Sequence, residues 1–422
     1  MNLLPFFLWC ALFFGAPFSR GTFIKRQQAT AVGPRSVGRS GEWVTRISMA
    51  EQERKAWLAS HGVEAALRSA VAQVIIERPS NPLAAIGRAM LKQAKVTPTD
   101  ICDPHLHFYD PEANAAWAPV QRTIGLPIHA PEAYAKEIAS LGVTASVHVE
   151  AVPADGAAEA QWVNSLIAAG RAPTVKAIVA GVDLGAPEVE KLLERAAAVP
   201  RVVGIRWILD DFREGAPARV PGSTEADYLL DKPAGAAARF EAGFKLLAKF
   251  GLRFDLQCGP RELEAAARLC ARHPDVPVVV DHLGKPKGLR GDGSSADAKE
   301  LAWWRTGLAM VAHAGPHTYV KLSMLGFAVP GWYGDAKKEA FVRALVLDVI
   351  RLFGAHRCMF ASNWHMHAAM SNSDTADARA DACPGMGALY AKFQAWVAHL
   401  PTDEQHALFS GTARAFYRIT KG

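Results

Sequence analysis

Eight short apolar segments, most of them followed by a helical pattern, constrain the fold more than any other feature of this sequence. The runs are near-continuous, as in Val-Pro-Val-Val-Val at 276–280, which is typical of strands buried on both faces of a parallel sheet. Eight such β/α units predict a TIM (β/α)8 barrel spanning 97–422. The predicted strands are 101–105, 143–150, 175–182, 202–208, 253–257, 277–282, 318–322 and 358–362. The predicted helices include 131–141, 157–169, 187–198, 240–250, 261–272 and 337–353.

Polar residues follow most of these predicted strands at their carboxyl ends, where barrels of this kind carry their sites. A single one has a structural explanation, since an isolated His is more often a core residue than a ligand. Their recurrence at most of the strand ends predicts one functional site. They are His105, His107, His148, Glu150, Arg206, Asp255, Gln257, Asp281, His282, Lys285, Lys321, Ser323, Asn363, Trp364 and His365.

The first of these groups is a pair of histidines separated by one residue, His105 and His107. Side chains alternate between the two faces of a strand, so both imidazoles point the same way if the strand extends this far. Two imidazoles side by side can hold a metal ion, or polarise a carbonyl group and a water molecule. Taken alone, the pair is equally compatible with two unrelated histidines in a loop.

The strand-end motifs together resemble the amidohydrolase-related family of the amidohydrolase superfamily, in the branch of sugar-lactone and pyrone-dicarboxylate lactonases. The resemblance spans residues 99–420, and Asp-His-Leu-Gly-Lys-Pro is its most specific segment. It implies a hydrolase in which a polarised water molecule attacks a lactone carbonyl carbon. The motifs are Asp-x-His-x-His-Phe (103–108), Val-His-Val-Glu-Ala (147–151), Gly-Ile-Arg (204–206), Phe-Asp-Leu-Gln (254–257), Asp-His-Leu-Gly-Lys-Pro (281–286), Tyr-Val-Lys-Leu-Ser (319–323) and Met-Phe-x-Ser-x-Trp (359–364).

The resemblance also implies roles for individual residues. Arg206 would bind a carboxylate or hydroxyl group of the substrate, because a guanidinium suits planar oxyanions. Gln257 stands where metal-requiring relatives often carry His, which weakens the case for zinc, although both zinc and a metal-free site remain open. The catalytic set is His105, His107, His282 and Asn363, of which the three histidines would hold a metal if one is bound. The substrate-binding set is Arg206, Glu150, Gln257, His148, Lys285, Trp364 and His365.

One position departs from the family pattern. The family usually ends its eighth strand in Ser-Asp-Trp-Pro, whereas this chain has Ser-Asn-Trp-His at 362–365. The usual Asp takes a proton from the attacking water, and Asn363 cannot, because an amide does not titrate near neutral pH. Either His365, Glu150 or Asp281 replaces it, or the barrel binds small acids without turning them over. A decarboxylase, which relatives build on the same kind of site, is a third alternative.

Residues 51–93 form a separate helical pattern that ends before the barrel. Its second helix carries an apolar stripe, and Pro79 and Pro82 mark a stop and restart. The stretch resembles the dimerisation and docking domain of the Dpy-30 and protein kinase A regulatory-subunit type, with Glu-Arg-Pro-x-x-Pro-Leu as its most specific part. That implies a homodimer able to dock an amphipathic partner helix. The alternative is a helical cap packed on the barrel.

The net positive charge of the chain is concentrated in residues 1–48. Residues 1–50 contain six basic residues and one acid, which is +5 of the total net charge of +6, so the rest of the chain is only +1. This distribution excludes a nucleic-acid-binding surface on the barrel. The apolar run at 3–18 with the Arg- and Ser-rich stretch after it predicts a plastid or secretory leader. A cytoplasmic protein starting at Met49 is the alternative. The six cysteines form no Cys-x-x-Cys pair, which favours a reducing compartment.

Overall fold

A computed structural model of the chain describes residues 63–83, 85–86, 100–119, 122, 128–209, 226–364 and 385–420. The chain separates into two compact units, one up to Glu77 and one from Arg78. The predicted leader at 1–48, both ends of the predicted module at 51–93, and His365 lie outside the described residues. In the part that is described, none of the helices is long and apolar enough to cross a membrane.

Eight parallel strands form one sheet in the order β1 to β8, which confirms the predicted TIM barrel. The barrel is nearly closed: Leu106 forms a parallel bridge with Trp364, and the backbone N–H of His107 donates to the carbonyl of Trp364 at 2.9 Å. The strands are β1 Ile101–Leu106, β2 Val143–Val149, β3 Val175–Gly181, β4 Val202–Ile208, β5 Arg253–Gln257, β6 Val278–Val280, β7 Thr318–Leu322 and β8 Cys358–Phe360.

Helices flank the sheet as predicted, and the structure adds two long helices that the sequence patterns did not place, α7 and α10. Asp155 and Asp335 cap the helices that follow them by accepting hydrogen bonds from backbone N–H groups of the first turn. The helices are α1 Val63–Glu77, α2 Pro131–Ile138, α3 Gly156–Ala168, α4 Val189–Ala197, α5 Ala236–Phe250, α6 Leu263–Arg272, α7 Ala298–Ala314, α8 Leu325–Ala328, α9 Ala336–Phe353, α10 Met386–Val397, α11 Thr402–His406 and α12 Thr412–Phe416.

Four of the strands end before their predicted bounds, β2 and β3 by one residue and β6 and β8 by two. The ladder of β6 ends at Val280, because the backbone is left-handed at four consecutive residues from His282 to Lys285, with φ between 48° and 70°. After β8, Asn363 has a φ of 55°. A left-handed residue cannot continue a strand, so His282 and Asn363 lie in turns just beyond the sheet.

Two hydrophobic clusters hold the barrel together. The larger fills the layer between the sheet and its helices. The smaller contains residues on the opposite face of the strands, such as Val147 and Met359, together with Phe416 and Tyr417 from the end of the chain. The Tyr417 hydroxyl donates to Asp255 Oδ2 at 2.7 Å, so this C-terminal segment reaches the polar layer above the small cluster.

Candidate active site

Strained backbone collects at the carboxyl ends of the strands. Non-glycine residues with positive φ follow four different strands there, and each such residue costs on the order of 1 kcal/mol or more. Strain of this kind persists only where surrounding contacts enforce it, and it is typical of binding and catalytic sites. This end of the barrel is therefore the candidate active site. The residues are Val152 after β2, His282, Leu283 and Lys285 after β6, Met324 after β7 and Asn363 after β8.

A buried ammonium group lies at the centre of this site. Lys321 of β7 places Nζ 2.5 Å from Asp255 Oδ2, 3.0 Å from Asp281 Oδ1 and 3.0 Å from His105 Nδ1. All four side chains are completely buried. Burial raises the pKa of Asp255 to about 6 against the lowering effect of Lys321, whereas Lys321 holds the pKa of Asp281 well below its usual range despite burial. Asp281 is therefore the ionised partner that stabilises Lys321 across the neutral range.

Arg206 of β4 is held on several sides by the protein itself. Its Nε donates to Glu150 Oε1 at 2.5 Å, and its terminal nitrogens bond the carbonyl of Glu150 and, at 3.1 Å, Gln257 Oε1. One terminal nitrogen also lies 3.3 Å from His105 Nε2. Arg206 was predicted to bind the substrate with its guanidinium, but most of the N–H groups of that fork face acceptors within the barrel. Its evident structural contribution is to orient Glu150, Gln257 and His105.

His105 has a cationic group at each ring nitrogen. Burial and, secondly, the charge of Lys321 hold its pKa well below the ordinary value, so the imidazole is neutral. Ammonium and guanidinium groups can only donate hydrogen bonds, and a neutral imidazole has one acceptor nitrogen. His105 can accept from Lys321 or from Arg206, and in either case its lone pair is occupied.

His282 lies beside His105, with ring centroids 4.7 Å apart, as expected for two residues of one site. Its Nδ1 is 3.0 Å from the hydroxyl of Ser323, the residue after β7. Burial lowers its pKa to about 3, so the ring is neutral at physiological pH. Ser323 thereby fixes the orientation of a neutral imidazole whose other nitrogen remains available to a substrate.

His107 and Asn363 form a pair on the other side of His105. The ring centroids of His105 and His107 are 4.9 Å apart. His107 Nδ1 lies 2.8 Å from the carbonyl of Val149, which can only accept, so Nδ1 carries the proton. His107 Nε2 lies 3.2 Å from the side-chain oxygen of Asn363. A ring with its proton on Nδ1 alone would accept at Nε2 from the Asn363 amide nitrogen, whereas a doubly protonated ring would donate to the amide oxygen.

The remaining predicted residues have protein partners of different kinds. His148 is buried, and its Nε2 lies 3.3 Å from the carbonyl of Phe108. Trp364 packs edge-on against Tyr134 and His129, with centroid distances of 5.3 and 5.4 Å. Lys285 Nζ lies 5.4 Å from the ring centroid of Phe327. These contacts line the wall of the site, and His365 lies outside the described residues.

Two features of this site were not predicted from the sequence. Asp255 and Lys321 were noted only as polar residues near strand ends, and Asp281 also as a candidate for the proton transfer; the structure places all three at the centre of the site. Their signal was a charged residue in an otherwise apolar strand, which must find a partner when it is buried. The second feature is Asp103, whose carboxylate accepts from the Tyr134 hydroxyl at 2.9 Å and from Ser362; this network ties β1 to the end of β8.

The donor set for a metal is present in part. His105, Asp281 and His282 bring one ligand atom each within 4.8 Å of one another. His107, predicted as a ligand with His105 and His282, instead has its ring nitrogens at Val149 and Asn363. Lys321 already occupies Asp281 Oδ1 and His105 Nδ1, and Arg206 faces His105 Nε2. A divalent ion would share its ligands with two cations, so the described side chains do not fit a metal.

Fold and site together define a barrel enzyme with its polar centre at the carboxyl ends of the strands. A family model described as Amidohydrolase matches residues 102–419. The chain belongs to the amidohydrolase family, which confirms that part of the resemblance and supports an enzyme of the hydrolase class. The resemblance of residues 51–93 to a docking domain stays a prediction.

Individual relatives are distant. The chain is 25% identical over 335 residues to an uncharacterised protein of Sinorhizobium fredii, covering 76% of this chain and 98% of that one. It is 25% identical over 329 residues to a Burkholderia ambifaria protein named L-fucono-1,5-lactonase, covering 76% and 96%. A zinc-bound crystal structure of an amidohydrolase from Burkholderia multivorans is 24% identical, covers 76% of this chain and 99% of that one, and has a TM-score of 0.57. That structure shows the same fold.

The variant His148→Gln is expected to gain stability relative to the wild type as the pH falls. Burial lowers the pKa of His148 to about 4, so the unfolded chain takes up a proton between about pH 6.5 and pH 4 that the folded chain does not. His148 therefore destabilises the wild type progressively as pH falls through this window. We expect the free energy of unfolding of wild type minus variant to fall by about 3 kcal/mol between pH 7.5 and pH 4.

Urea unfolding of both proteins at several pH values measures this difference. Other buried groups cancel, because they are present in both chains. A second variant, His148→Asn, also lacks the titrating imidazole but differs from Gln in size. A pH dependence that both variants share therefore comes from the titration of His148, and a difference between them comes from packing. A difference that stays constant with pH would contradict the prediction, because His148 would then take up its proton at the same pH in the folded and unfolded chains.

Proposed function

We propose that this protein hydrolyses a lactone of the sugar-acid type. The observation that carries the proposal is the buried set of imidazoles, His105, His107 and His282, at the carboxyl ends of an amidohydrolase barrel. A relative named L-fucono-1,5-lactonase, matched over nearly its whole length, supports this class of substrate. The pyrone-dicarboxylate lactonase part of the resemblance keeps carboxylated lactones within the same proposal.

In the proposed mechanism, His282 polarises the lactone carbonyl. The Ser323 hydroxyl donates to Nδ1, which leaves Nε2–H to donate to the carbonyl oxygen as negative charge develops on it. A neutral imidazole with a very low pKa is suited to this role, because it stabilises an oxyanion by hydrogen bonding without transferring its proton early. Water attacks the carbonyl carbon and gives up a proton, the ring C–O bond breaks, and that proton is transferred to the leaving alkoxide.

Asn363 orients the attacking water in this mechanism but does not deprotonate it. Its amide nitrogen donates to His107 Nε2, which leaves the amide oxygen to accept a hydrogen bond from the water. The other acids have prior partners: Glu150 holds Arg206 and the backbone N–H of Val152 at 2.7 Å, and Asp281 holds Lys321. We therefore expect slow turnover. His365, which the sequence places next to Trp364, is the remaining candidate for the proton transfer.

A substrate screen of the full-length protein tests the proposal. The panel contains sugar 1,4- and 1,5-lactones, a pyrone dicarboxylate and hydroxybenzoic acids, with lactone opening followed by acid release. His282→Gln is the matched control, because it replaces the imidazole by an uncharged polar amide group. We expect ring opening of at least one lactone, reduced about 100-fold or more in the control. Release of carbon dioxide from an aromatic acid would instead assign a decarboxylase.

A non-catalytic role is the second candidate, and Asn363 is the observation that favours it. Binding of a lactone or sugar acid without turnover, measured by calorimetry, would support this reading. Ring opening that depends on His282 would contradict it.

We also propose that the chain is a homodimer through residues 51–93. In the described part of this segment, α1 buries Ala70 and Val74 but leaves Ile75 66% and Ile76 81% exposed. Adjacent exposed isoleucines on a short helix are consistent with a surface that a second copy covers. An amphipathic partner helix from another protein, docked on the dimer, remains part of the same proposal.

Sedimentation equilibrium of the full-length chain is expected to give a dimer that Ile75→Lys weakens about tenfold or more, because a charge replaces a buried apolar contact. Gln73→Lys is the control, since it adds the same charge on the same helix at an exposed polar position. Equal weakening by both variants, or a wild-type monomer at high micromolar concentration, would contradict the dimer.

A further inference from the structure

We infer that Lys321 takes the place of a divalent metal ion, so that this barrel assembles its site around a tethered ammonium group and excludes zinc. The inference concerns the assembly of the site and is independent of which substrate the protein uses. It rests on four groups that meet at one buried point: the Lys321 ammonium and the side chains of Asp255, Asp281 and His105.

The surroundings of Lys321 match an ammonium ion. Its nitrogen lies within 3.0 Å of three polar atoms: it donates to Asp255 Oδ2, forms an ion pair with Asp281 Oδ1 and contacts His105 Nδ1. The Tyr417 ring lies on a further side, with its centroid 5.4 Å from Nζ, where an aromatic face attracts a cation. These contacts hold the Lys321 ammonium in the position that a bound cation would otherwise occupy.

Asp281 shows that the ammonium supplies the charge of a bound cation here. Both of its carboxylate oxygens are buried, and neither accepts a well-directed hydrogen bond from the described residues. Their negative charge is balanced by Lys321 at 3.0 Å and by Arg206 at 3.8 Å. A buried carboxylate that binds a metal ion is balanced by the charge of that ion. In this chain two side-chain cations supply the balancing charge.

The same contacts exclude a metal ion. Zinc binds carboxylate oxygens and imidazole nitrogens at about 2.0–2.2 Å and needs a lone pair from each ligand. His105 has a single acceptor nitrogen, and both of its nitrogens face cationic donors. A bound zinc ion would therefore have to displace Lys321 from Asp281 and His105, which leaves Asp255 as the remaining polar partner of its buried ammonium. The three potential ligands His105, Asp281 and His282 remain close enough to bind zinc once that ammonium is removed.

Zinc binding by the full-length protein tests this inference. Wild type and Lys321→Met are stripped with chelator and incubated with zinc alone. Gel filtration follows, and bound metal is measured by mass spectrometry and by competition with a chromogenic chelator. We expect the wild type to match the background of Lys285→Met, a variant that removes a different buried lysine of the same site. We expect Lys321→Met to gain one equivalent of zinc, with an affinity at least about 100-fold higher.

Two further variants make the result decisive. Lys321→Met/Asp255→Asn removes one charge of each sign, so it keeps the net charge of the site and can fold where the single variant does not; it is expected to bind zinc as well. Lys321→Met/Asp281→Asn removes a ligand and is expected to lose the metal. One tightly held equivalent of zinc in the wild type would overturn the inference. So would a folded charge-conserving variant that binds none. If neither variant folds, the wild-type measurement decides by itself.

Discussion

Replacing Asn363 by Asp is expected to raise the rate of lactone hydrolysis by about 10²-fold or more. A carboxylate at this position would take a proton from the attacking water and return it to the leaving oxygen, and help of this kind is worth about 10²- to 10⁴-fold, or about 3 to 5 kcal/mol of barrier. One oxygen of the introduced carboxylate would face His107 Nε2, which the amide group of Asn363 now contacts at 3.2 Å, and its charge would favour a proton on that ring nitrogen. The other oxygen would be directed to the water.

The pH profile distinguishes this gain from a general effect of added charge. The Asn363→Asp variant should acquire an acidic limb, with activity rising as its new carboxyl group ionises. Asn164→Asp is the control, because Asn164 only accepts a bond from Arg201 on the protein surface at 2.6 Å. If the wild type already turns over at tens per second and Asn363→Asp slows it, another group, such as His365 or Glu150, performs the proton transfer.

Removing Arg206 is expected to have the second large effect, on stability as well as activity. Arg206→Met leaves Glu150, which is 3% exposed, without its cation, and breaking a buried ion pair at one side costs about 3–5 kcal/mol. Arg206→Met/Glu150→Gln removes both charges and should recover part of that loss. Urea unfolding of the two single variants and the double variant gives the coupling energy of the pair.

Arg195 and Asp155 provide the matched comparison. Their ion pair has a similar length, 2.6 Å, but the side chains are 55% and 37% exposed. Solvent screens such a pair, so Arg195→Met should cost less than about 1 kcal/mol. If Arg206→Met is no more costly than Arg195→Met, Arg206 does not hold the site together. Lost activity would then mean that it acts directly on the substrate.

The strands of the barrel could be predicted closely from the sequence. The bounds of β4, β5 and β7 agree with the prediction. Periodicity also located most of the helices. It did not place α7, whose sequence carries Trp303 and Trp304 side by side and has only a weak apolar face. Burial of that helix comes from the neighbouring elements, which a local pattern does not contain.

The site residues could be predicted as a set, but their partnerships could not. His105, His107, His282 and Asn363 lie at one end of the barrel, as their positions after strands indicated. The contacts between these side chains depend on the turns beyond the strands. The backbone from His282 to Lys285 is left-handed, and Gly284 is the only residue of the four that predicts such a conformation. The central position of Lys321 follows from the closure of the barrel, which brings β7 close to β1 with β8 between them, and no motif spacing encodes that distance.

The rate of lactone opening by the metal-stripped full-length protein tests the central claim most directly, namely that this barrel hydrolyses lactones at a site built around its own cations. With chelator present, the account predicts lactone opening that zinc does not increase and that His282→Gln reduces about 100-fold or more. Activity that appears only after zinc is added would contradict the role assigned to Lys321. No opening of any lactone, with or without zinc, would contradict the proposed hydrolase function itself.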